Sequence, residues 1–201
     1  AMAEEHGFTF IGPSPEHIAM MGDKLAARAR MMELGVPVVP GSDGPVGDEA
    51  EAAAVADRVG YPVLIKAAGG GGGKGIRRAN GRAELMNQVK MAQAEARAAF
   101  GTDTIYLECF LERPRHIEIQ ILADGYGNVV HLGERDCSLQ RNRQKVLEEA
   151  PSPALNAAER DKIGAIATNA IREIGYRNAG TIEFLYEDGE FYFLEMNTRL
   201  Q

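Results

Sequence analysis

Apolar and polar residues follow two different periods along this chain, and together they predict a protein of mixed helices and strands. Apolar residues recur every three or four positions over residues 48–59 and 82–98, as they do on the buried face of a helix. They alternate with charged or amide residues over residues 117–121, as in a strand with one buried face. The predicted helices cover residues 15–34, 48–59, 82–98 and a stretch from Asn156 onwards, and the predicted strands cover residues 8–11, 62–66, 104–108, 117–121, 129–132, 181–186 and 190–197.

Capping signals mark two of these helices. Ser14 and Pro15 suit the N-cap and the first position of a helix whose apolar spacing continues to Leu34. Asn156, with Glu159 three residues later, is typical of a capping box. The polar stretch before it, residues 140–153, predicts an irregular segment.

The order of elements predicts an α+β protein in three segments. Residues 1–38 form a strand and a helix that lead into the domain, residues 39–110 a small lid, and residues 111–201 an antiparallel-sheet core. The proline and glycine residues within 36–45 are typical of a hinge. We therefore expect the lid to close when a ligand binds.

Composition argues against several functions. The formal net charge is -7 and there is no run of lysine and arginine, which disfavours a nucleic-acid partner. The apolar stretches are shorter than the about 20 residues that span a bilayer, so no membrane span is expected. Cys109 and Cys137 are too few for a disulfide framework or a cysteine-built zinc site, and we expect a cytoplasmic protein.

A run of glycines at residues 69–73, followed by Lys74 and Gly75, links a predicted strand to a predicted helix. Ordering glycine loses more conformational entropy than ordering alanine, so an ordered run of five glycines is unfavourable unless the glycines serve a structural or functional purpose. A flexible linker is one explanation, although linkers usually lie between domains. Glycines also let backbone N–H groups approach an anion closely. Since Gly75 stands where a Walker A motif needs serine or threonine, the pattern predicts another type of phosphate loop.

Two lysines in apolar surroundings are candidates for binding an anion. Lys66 follows the apolar residues 63–65, where a lysine must pair with an anion or extend its ammonium group to water. The glycines that follow Lys66 favour a phosphate ligand. Lys24 shares a helical face with Met21 and Leu25, where a solvated lysine is an equally good explanation.

Glu183 and Glu195 interrupt the two apolar strands at the end of the chain. Buried carboxylates are unfavourable unless a cation neutralises them. A two-residue turn at Asp188 and Gly189 would put the glutamates on opposite faces of the sheet, whereas a longer loop or a bulge would set them opposite each other. We predict the second arrangement. The predicted register pairs Glu183 with Glu195, Leu185 with Phe193, and Phe184 with Leu194.

Asn197 and Arg199 follow Glu195 at a period of two, so we expect one strand to present three polar groups in a row. Facing glutamates share a proton or a metal, and their hard oxygen atoms suit Mg²⁺. The guanidinium of Arg199 offers a planar fork of donors that matches a carboxylate-shaped anion. Charges exposed at a sheet edge, and a salt bridge between Arg199 and a neighbouring acid, are the alternatives.

Residues 134–145 are rich in cations and amides, although the chain as a whole is acidic. A solvated loop explains this composition, and so does a site for an anionic substrate. Cys137 fits a buried thiol better than a nucleophile, because the sequence places no histidine beside it. His116 has no second histidine at metal-binding spacing, so we expect it to form hydrogen bonds.

Eight short motifs, several of which contain these residues, lie at residues 10–13, 21–24, 40–44, 66–75, 114–120, 134–138, 148–151 and 195–199. They closely resemble motifs of biotin carboxylases, within the ATP-grasp superfamily. The resemblance covers nearly the whole chain in order. It is much less specific among acetyl-CoA, propionyl-CoA, pyruvate and related carboxylases.

The resemblance implies a fold, cofactors and a set of site residues. The fold is an ATP-grasp with a small lid and an antiparallel-sheet core, as a fragment of a larger three-lobed enzyme. The cofactors are ATP and Mg²⁺ or Mn²⁺, with biotin as a carried substrate. The nucleotide is implied to contact Lys24, Lys66, Gly72, Gly73, Glu108, Leu111, His116, Gln140 and Arg143, the metal Glu183, Glu195 and Asn197, and bicarbonate Lys145 and Arg199.

The reaction of the family is carboxylation of biotin at the expense of ATP. Bicarbonate attacks the γ-phosphate to give carboxyphosphate, whose CO₂ passes to biotin, and Arg199 is implied to stabilise the biotin enolate. The implied partners are a biotin carboxyl carrier protein or domain, a carboxyltransferase and further copies of the chain in a homo-oligomer.

Three substitutions and the end of the chain depart from the family pattern. Cys109 replaces a lysine beside the adenine, Asn142 replaces a common arginine, and Arg143 stands in place of a ribose-binding histidine. The family's Val-Glu-His continuation, whose glutamate deprotonates bicarbonate, would follow Gln201. We therefore expect the chain as given to bind nucleotide without completing the carboxylation. Another ATP-grasp ligase, such as a carbamoyl-phosphate synthetase, and a non-catalytic nucleotide-binding or assembly module are the alternatives.

Overall fold

The structure, a computed structural model, describes residues 1–69, 75–142 and 144–201. Two units can be distinguished by their internal contacts, one formed by Val39–Glu112 and the other by Ala1–Val38 with Arg113–Gln201. The elements are α1 Met2–Glu5, α2 Pro15–Gly22, α3 Lys24–Glu33, α4 Glu49–Val59, β1 Val63–Ala67, β2 Ile76–Ala79, α5 Arg82–Phe100, β3 Ile105–Cys109, β4 Arg115–Ala123, β5 Val129–Arg141, β6 Gln144–Glu149, α6 Ala157–Ile174, β7 Asn178–Glu187 and β8 Glu190–Asn197.

The smaller unit, Val39–Glu112, is built on an antiparallel sheet in the order β2-β1-β3. Helices α4 and α5 pack against this sheet. Residues of β1 that face the helices, such as Val63 and Ile65, are fully buried with Leu85 of α5. This unit lies within two residues of the predicted lid, residues 39–110, and its function as a lid stays a prediction.

The larger unit is built on a five-stranded antiparallel sheet in the order β6-β5-β4-β7-β8. Helix α6 packs on β4 and β5, and helices α2 and α3 pack on β8. Because side chains alternate along a strand, Ile117, Ile119 and Ile121 of β4 point into this core. Glu118 and Gln120 therefore point to the opposite face, which carries the candidate site. The α+β class predicted from the sequence is confirmed.

The first predicted helix is two helices. Gly22 ends α2, and the Asp23 carboxylate then accepts hydrogen bonds of 2.9 Å from the backbone N–H groups of Leu25 and Ala26 as the N-cap of α3. An aspartate side chain at this position competes with the helical backbone and starts a new helix. The apolar period continued across the break because both helices bury residues in the same core.

Two other predicted segments differ from the structure. Residues 8–11 form no strand, and Phe8 and Ile11 are exposed, so this apolar run has no sheet partner within the described residues. Part of the stretch 140–153, predicted to be irregular, forms β6. As an edge strand in which no residue is buried, β6 lacks the alternation that would have predicted it.

The helices predicted from caps and periodicity are otherwise confirmed. Asn156 and Glu159 form the predicted capping box at the start of α6, and Ser14 caps α2. None of the helices in the described ranges combines the length and the apolar composition that a membrane crossing requires.

Candidate nucleotide and metal site

Three carboxylates lie side by side on the face of the larger sheet opposite its core. The register pairs Glu118 of β4 with Glu183 of β7, and Glu183 with Glu195 of β8. Directly paired residues project from the same face, so the three side chains form a row across three strands. Glu118 and Glu183 are buried, at 1% and 4% exposure, and Glu195 is half-buried. We call these residues the carboxylate row.

The predicted opposition of Glu183 and Glu195 is confirmed, and a β-bulge produces it. The strands are joined at Asp188 and Gly189, both with positive φ, which suits a two-residue hairpin turn. The register then shifts by one residue between Glu183 and Phe184. The predicted pairs Leu185–Phe193 and Phe184–Leu194 are wrong, because the extra residue lies inside β8 and not in the turn: Leu185 pairs with Tyr192 and Phe184 with Phe193.

Cationic side chains neutralise the carboxylate row. Lys145 Nζ lies 2.8 Å from Glu183 Oε1 and also contacts Glu118 Oε2. The Arg135 guanidinium contacts Glu118 Oε1, and Lys24 Nζ lies 3.1 Å from Glu195 Oε2. Three carboxylates thus meet three cations, which come from α3, β5 and β6. This balance is what allows two of the carboxylates to be buried.

The acid–base properties of Glu183 and Lys145 follow from this pairing. Burial raises the pKa of Glu183, but hydrogen bonds from His116 and Lys145 outweigh it and lower the pKa to about 2. Burial lowers the pKa of Lys145, but its hydrogen bonds to Glu118 and Glu183 raise the pKa by more than burial lowers it. The pKa of Lys145 therefore lies above its usual value. Glu183 is therefore ionised, the form in which a carboxylate binds a metal.

Asn197 and Arg199 extend the site beyond the carboxylate row. Asn197 Nδ2 donates to Glu183 Oε1 at 2.7 Å, and an Arg199 nitrogen donates to Asn197 Oδ1 at 2.7 Å. Strand β8 ends at Asn197, so the prediction that Glu195, Asn197 and Arg199 all lie on one strand is wrong for Arg199. Within the described part of the chain Arg199 forms no ion pair.

His116 was predicted to form hydrogen bonds, and both of its ring nitrogens do so. Its Nε2 lies 2.6 Å from Glu183 Oε2, and its Nδ1 lies 2.8 Å from Gln140 Nε2. The same Gln140 nitrogen donates to the carbonyl oxygen of Cys137 at 2.9 Å. Cys137 is fully buried, and this burial, followed by the charge of Glu118, raises the pKa of its thiol to about 12. A buried, protonated thiol agrees with the non-nucleophilic interpretation.

In the smaller unit, Lys66 meets Glu108. Leu64 of β1 pairs with Glu108 of β3, so Lys66 and Glu108 share a face, and Lys66 Nζ lies 2.7 Å from Glu108 Oε2. Both residues are buried, and Lys66 lies over the Tyr106 ring at 5.7 Å. Lys66 was predicted to pair with an anion. Within the protein, that anion is the carboxylate of Glu108, which was also predicted to belong to the site. Leu111 is half-buried after β3, and Gly72, Gly73 and Arg143 lie outside the described residues.

The residues fit a divalent cation best at Glu183, Glu195 and Asn197. Facing carboxylates and an amide oxygen are the hard oxygen ligands that Mg²⁺ prefers. Another group, Glu118, Cys137 and Glu148, brings three ligand atoms within 4.8 Å of one another. We favour the first group, because Mg²⁺ prefers oxygen ligands and burial keeps the Cys137 thiol protonated.

A cavity of about 450 Å³ opens beside the carboxylate row. Lys145 and Arg199, the two residues predicted to meet bicarbonate, both line it. Sequence reasoning assigned no function to Glu118, although a glutamate between the buried Ile117 and Ile119 was a usable signal, and it considered Arg135 only as part of the cation-rich stretch 134–145. Both residues also line the cavity. The lining residues are Glu118, Arg135, Lys145, Glu148, Arg199 and Gln201.

Comparison with known proteins identifies the family. The model of the ATP-binding domain of the carbamoyl-phosphate synthase L chain matches residues 23–201. The chain belongs to this family. Within the family, the chain is 57% identical over 199 residues to the biotin carboxylase of Pseudomonas aeruginosa, covering 98% of this chain and 44% of that protein. The predicted resemblance to biotin carboxylases is confirmed, and the chain spans less than half the length of these relatives.

Solved structures of this family share the fold. The biotin carboxylase domain of the Hydrogenobacter thermophilus 2-oxoglutarate carboxylase, solved as a dimer with MgADP, ADP and bicarbonate, has a TM-score of 0.93 and 50% identity, covering 100% of this chain and 44% of that one. The biotin carboxylase of Campylobacter jejuni, in a complex described as β-γ-ATP, has a TM-score of 0.94 and 46% identity, covering 100% of this chain and 45% of that one. The predicted ATP-grasp fold is therefore confirmed.

The ion pairs of Glu183 predict how stability depends on pH. A pKa of about 2 in the folded chain lies below the ordinary value of 4.5, so the stabilisation is present above pH 4.5 and is lost as the pH falls. We expect the difference in unfolding free energy between the wild type and Glu183→Gln to shrink by about 2 kcal/mol from about pH 6 to about pH 3. Urea unfolding of both proteins measures it. The exposed Glu173→Gln is the control, and a difference for Glu183→Gln as flat as the control's would contradict the ion-pair account.

Proposed function

We propose that this chain binds Mg-ATP as the ATP-grasp part of a biotin carboxylase, which joins bicarbonate to biotin. The observation that carries the proposal is the pair Glu183 and Glu195, which face each other beside Asn197, each in contact with a lysine. Similarity to biotin carboxylases over the whole chain supports the same function.

The ion pairs suggest how the site accepts its ligands. When bound, a divalent cation supplies positive charge that neutralises phosphate oxygens. Glu183, Glu195 and Asn197 would hold it, either Mg²⁺ or Mn²⁺. Lys24 then loses its contact with Glu195 and becomes available to the nucleotide, while Lys145 loses Glu183, keeps Glu118 and becomes available to bicarbonate. The protein therefore exchanges internal ion pairs for ligand ion pairs, and no unpaired charge is buried.

The remaining residues are assigned to positioning and charge neutralisation, on which phosphoryl transfer mainly depends. Arg199 meets bicarbonate and the biotin enolate with its planar donors. The reaction passes through carboxyphosphate, whose CO₂ is transferred to biotin. The nucleotide contacts are assigned to Lys24, Lys66, Gly72, Gly73, Glu108, Leu111, His116, Gln140 and Arg143.

The proposed partners follow from this chemistry. Biotin reaches the site on a carrier protein or domain, and a carboxyltransferase uses the carboxylated biotin. Because the Hydrogenobacter thermophilus domain was solved as a dimer, we also propose a homo-oligomer. The cytoplasmic location stays a prediction.

Calorimetric titration of the chain with ATP, with and without Mg²⁺, tests the proposal. The double variant Glu183→Gln with Glu195→Gln should bind Mg-ATP more than about 100-fold more weakly than the wild type. Removing a residue that only hydrogen-bonds to a metal ligand typically weakens binding by about 10- to 100-fold, so loss of two ligands should exceed that range. The control is Glu187→Gln with Glu190→Gln, a pair that faces across the same two strands near the turn. An ATP affinity that is independent of Mg²⁺ and unaffected in the first double variant would refute the assignment.

Arg199 should act on the reaction more than on nucleotide binding. A chimera in which this chain replaces the matching part of the Pseudomonas aeruginosa biotin carboxylase allows turnover to be measured. In it, Arg199→Ala should lower kcat for biotin carboxylation by about 10²-fold, as expected when a preorganised donor is lost. Arg199→Lys, which keeps the charge without the fork, should fall in between. Unchanged kcat with much weaker ATP binding would show instead that Arg199 contributes to nucleotide binding and not to the reaction.

A further inference from the structure

Asp136 is a buried carboxylate outside the carboxylate row. It pairs with Ile117 and is 3% exposed on the core side of the sheet. Four donors satisfy its two oxygen atoms: the backbone nitrogen of Ser138 at 3.0 Å, the Ser138 hydroxyl at 2.5 Å, the Ser152 hydroxyl at 3.1 Å and the Arg115 guanidinium at 3.4 Å. A buried carboxylate with so complete a set of donors is fixed in place.

The bonds to Ser138 hold an irregularity in β5. Immediately after Asp136 the pairing of β5 with β6 shifts, so the chain forms a bulge at Cys137 and Ser138. The bulge aims two groups towards the nucleotide and metal site. The Ser138 hydroxyl accepts the backbone N–H of His116 at 2.9 Å, and the Cys137 carbonyl accepts the side-chain amide of Gln140 at 2.9 Å.

These two contacts determine the position of the His116 backbone and the orientation of its ring. The Ser138 hydroxyl fixes the backbone of His116, and the Gln140 amide fixes its ring. The Gln140 side-chain nitrogen donates to the Cys137 carbonyl and also lies 2.8 Å from His116 Nδ1. His116 Nε2 lies 2.6 Å from Glu183 Oε2, so the ring is held between Gln140 and Glu183.

We propose that Asp136 and Ser138 are positioning residues for the nucleotide and metal site, because they hold the bulge that fixes the backbone and the ring of His116. Neither residue belongs to the ligand-binding set, and both act through His116. This inference rests on the proposed function, in which His116 lines the nucleotide and Glu183 holds the metal.

A matched pair of variants separates positioning from simple stabilisation. Ser138→Ala and Ser152→Ala each remove one hydroxyl that donates to Asp136. Only Ser138 also accepts the His116 backbone N–H. Both variants should lower the unfolding temperature, whereas only Ser138→Ala should change His116.

Two measurements on the chain report the difference. Ser138→Ala should weaken Mg-ATP binding by about 10-fold, the lower end of the range for loss of a group that orients a ligating residue. It should also shift the ring ¹⁵N signals of His116 in long-range ¹H–¹⁵N spectra, which are assignable because the chain has four histidines. Ser152→Ala should leave both at wild-type values. If Ser138→Ala leaves both unchanged, or if Ser152→Ala changes them equally, the inference is overturned.

A second variant covers the case in which Ser138→Ala does not fold. Asp136→Asn keeps the shape of the side chain and one acceptor oxygen, and it should shift the same ¹⁵N signals with a smaller loss of affinity. Unchanged signals would overturn the inference. If the wild type itself does not bind Mg-ATP, the proposed function fails, while the ¹⁵N comparison still decides whether the bulge fixes His116.

Discussion

The contact of Lys145 with both Glu118 and Glu183 is the interaction on which the site depends. Two carboxylates buried next to each other on adjacent strands would repel, and each would lose its hydration. A single ammonium group between them offsets both effects. The cations at either side of it, Arg135 and Lys24, complete the charge balance of the row. The positive and negative charges on this face of the sheet therefore balance one another within the protein itself.

Small departures from regular strands put these groups together. A bulge in β8 brings Glu195 opposite Glu183, and a bulge in β5 directs Ser138 and Gln140 towards His116. In a regular two-residue hairpin Glu195 would lie on the core face, among apolar residues such as Ile182 and Phe184. The regular parts of the sheet provide the apolar core, whereas the irregular parts provide the chemistry.

The sequence predicted the parts of this arrangement that depend on local pattern. The opposition of Glu183 and Glu195 could be predicted because both interrupt apolar strands, but the position of the bulge could not, since it depends on packing across β7 and β8. Asp23 was missed because two consecutive helices that share one core keep the same apolar period. Glu118 and Arg135 were missed because their meeting depends on strand order, which periodicity does not determine.

The central claim is that the carboxylate row exchanges lysine partners for a metal and its nucleotide. Anomalous diffraction from crystals of the chain grown with Mn²⁺ and ADP tests it directly, because manganese can be located without reference to the protein. The account predicts manganese bound to oxygen atoms of Glu183 and Glu195, with Lys145 moved away from Glu183. Manganese bound elsewhere, with both glutamates still paired to Lys24 and Lys145, would contradict it.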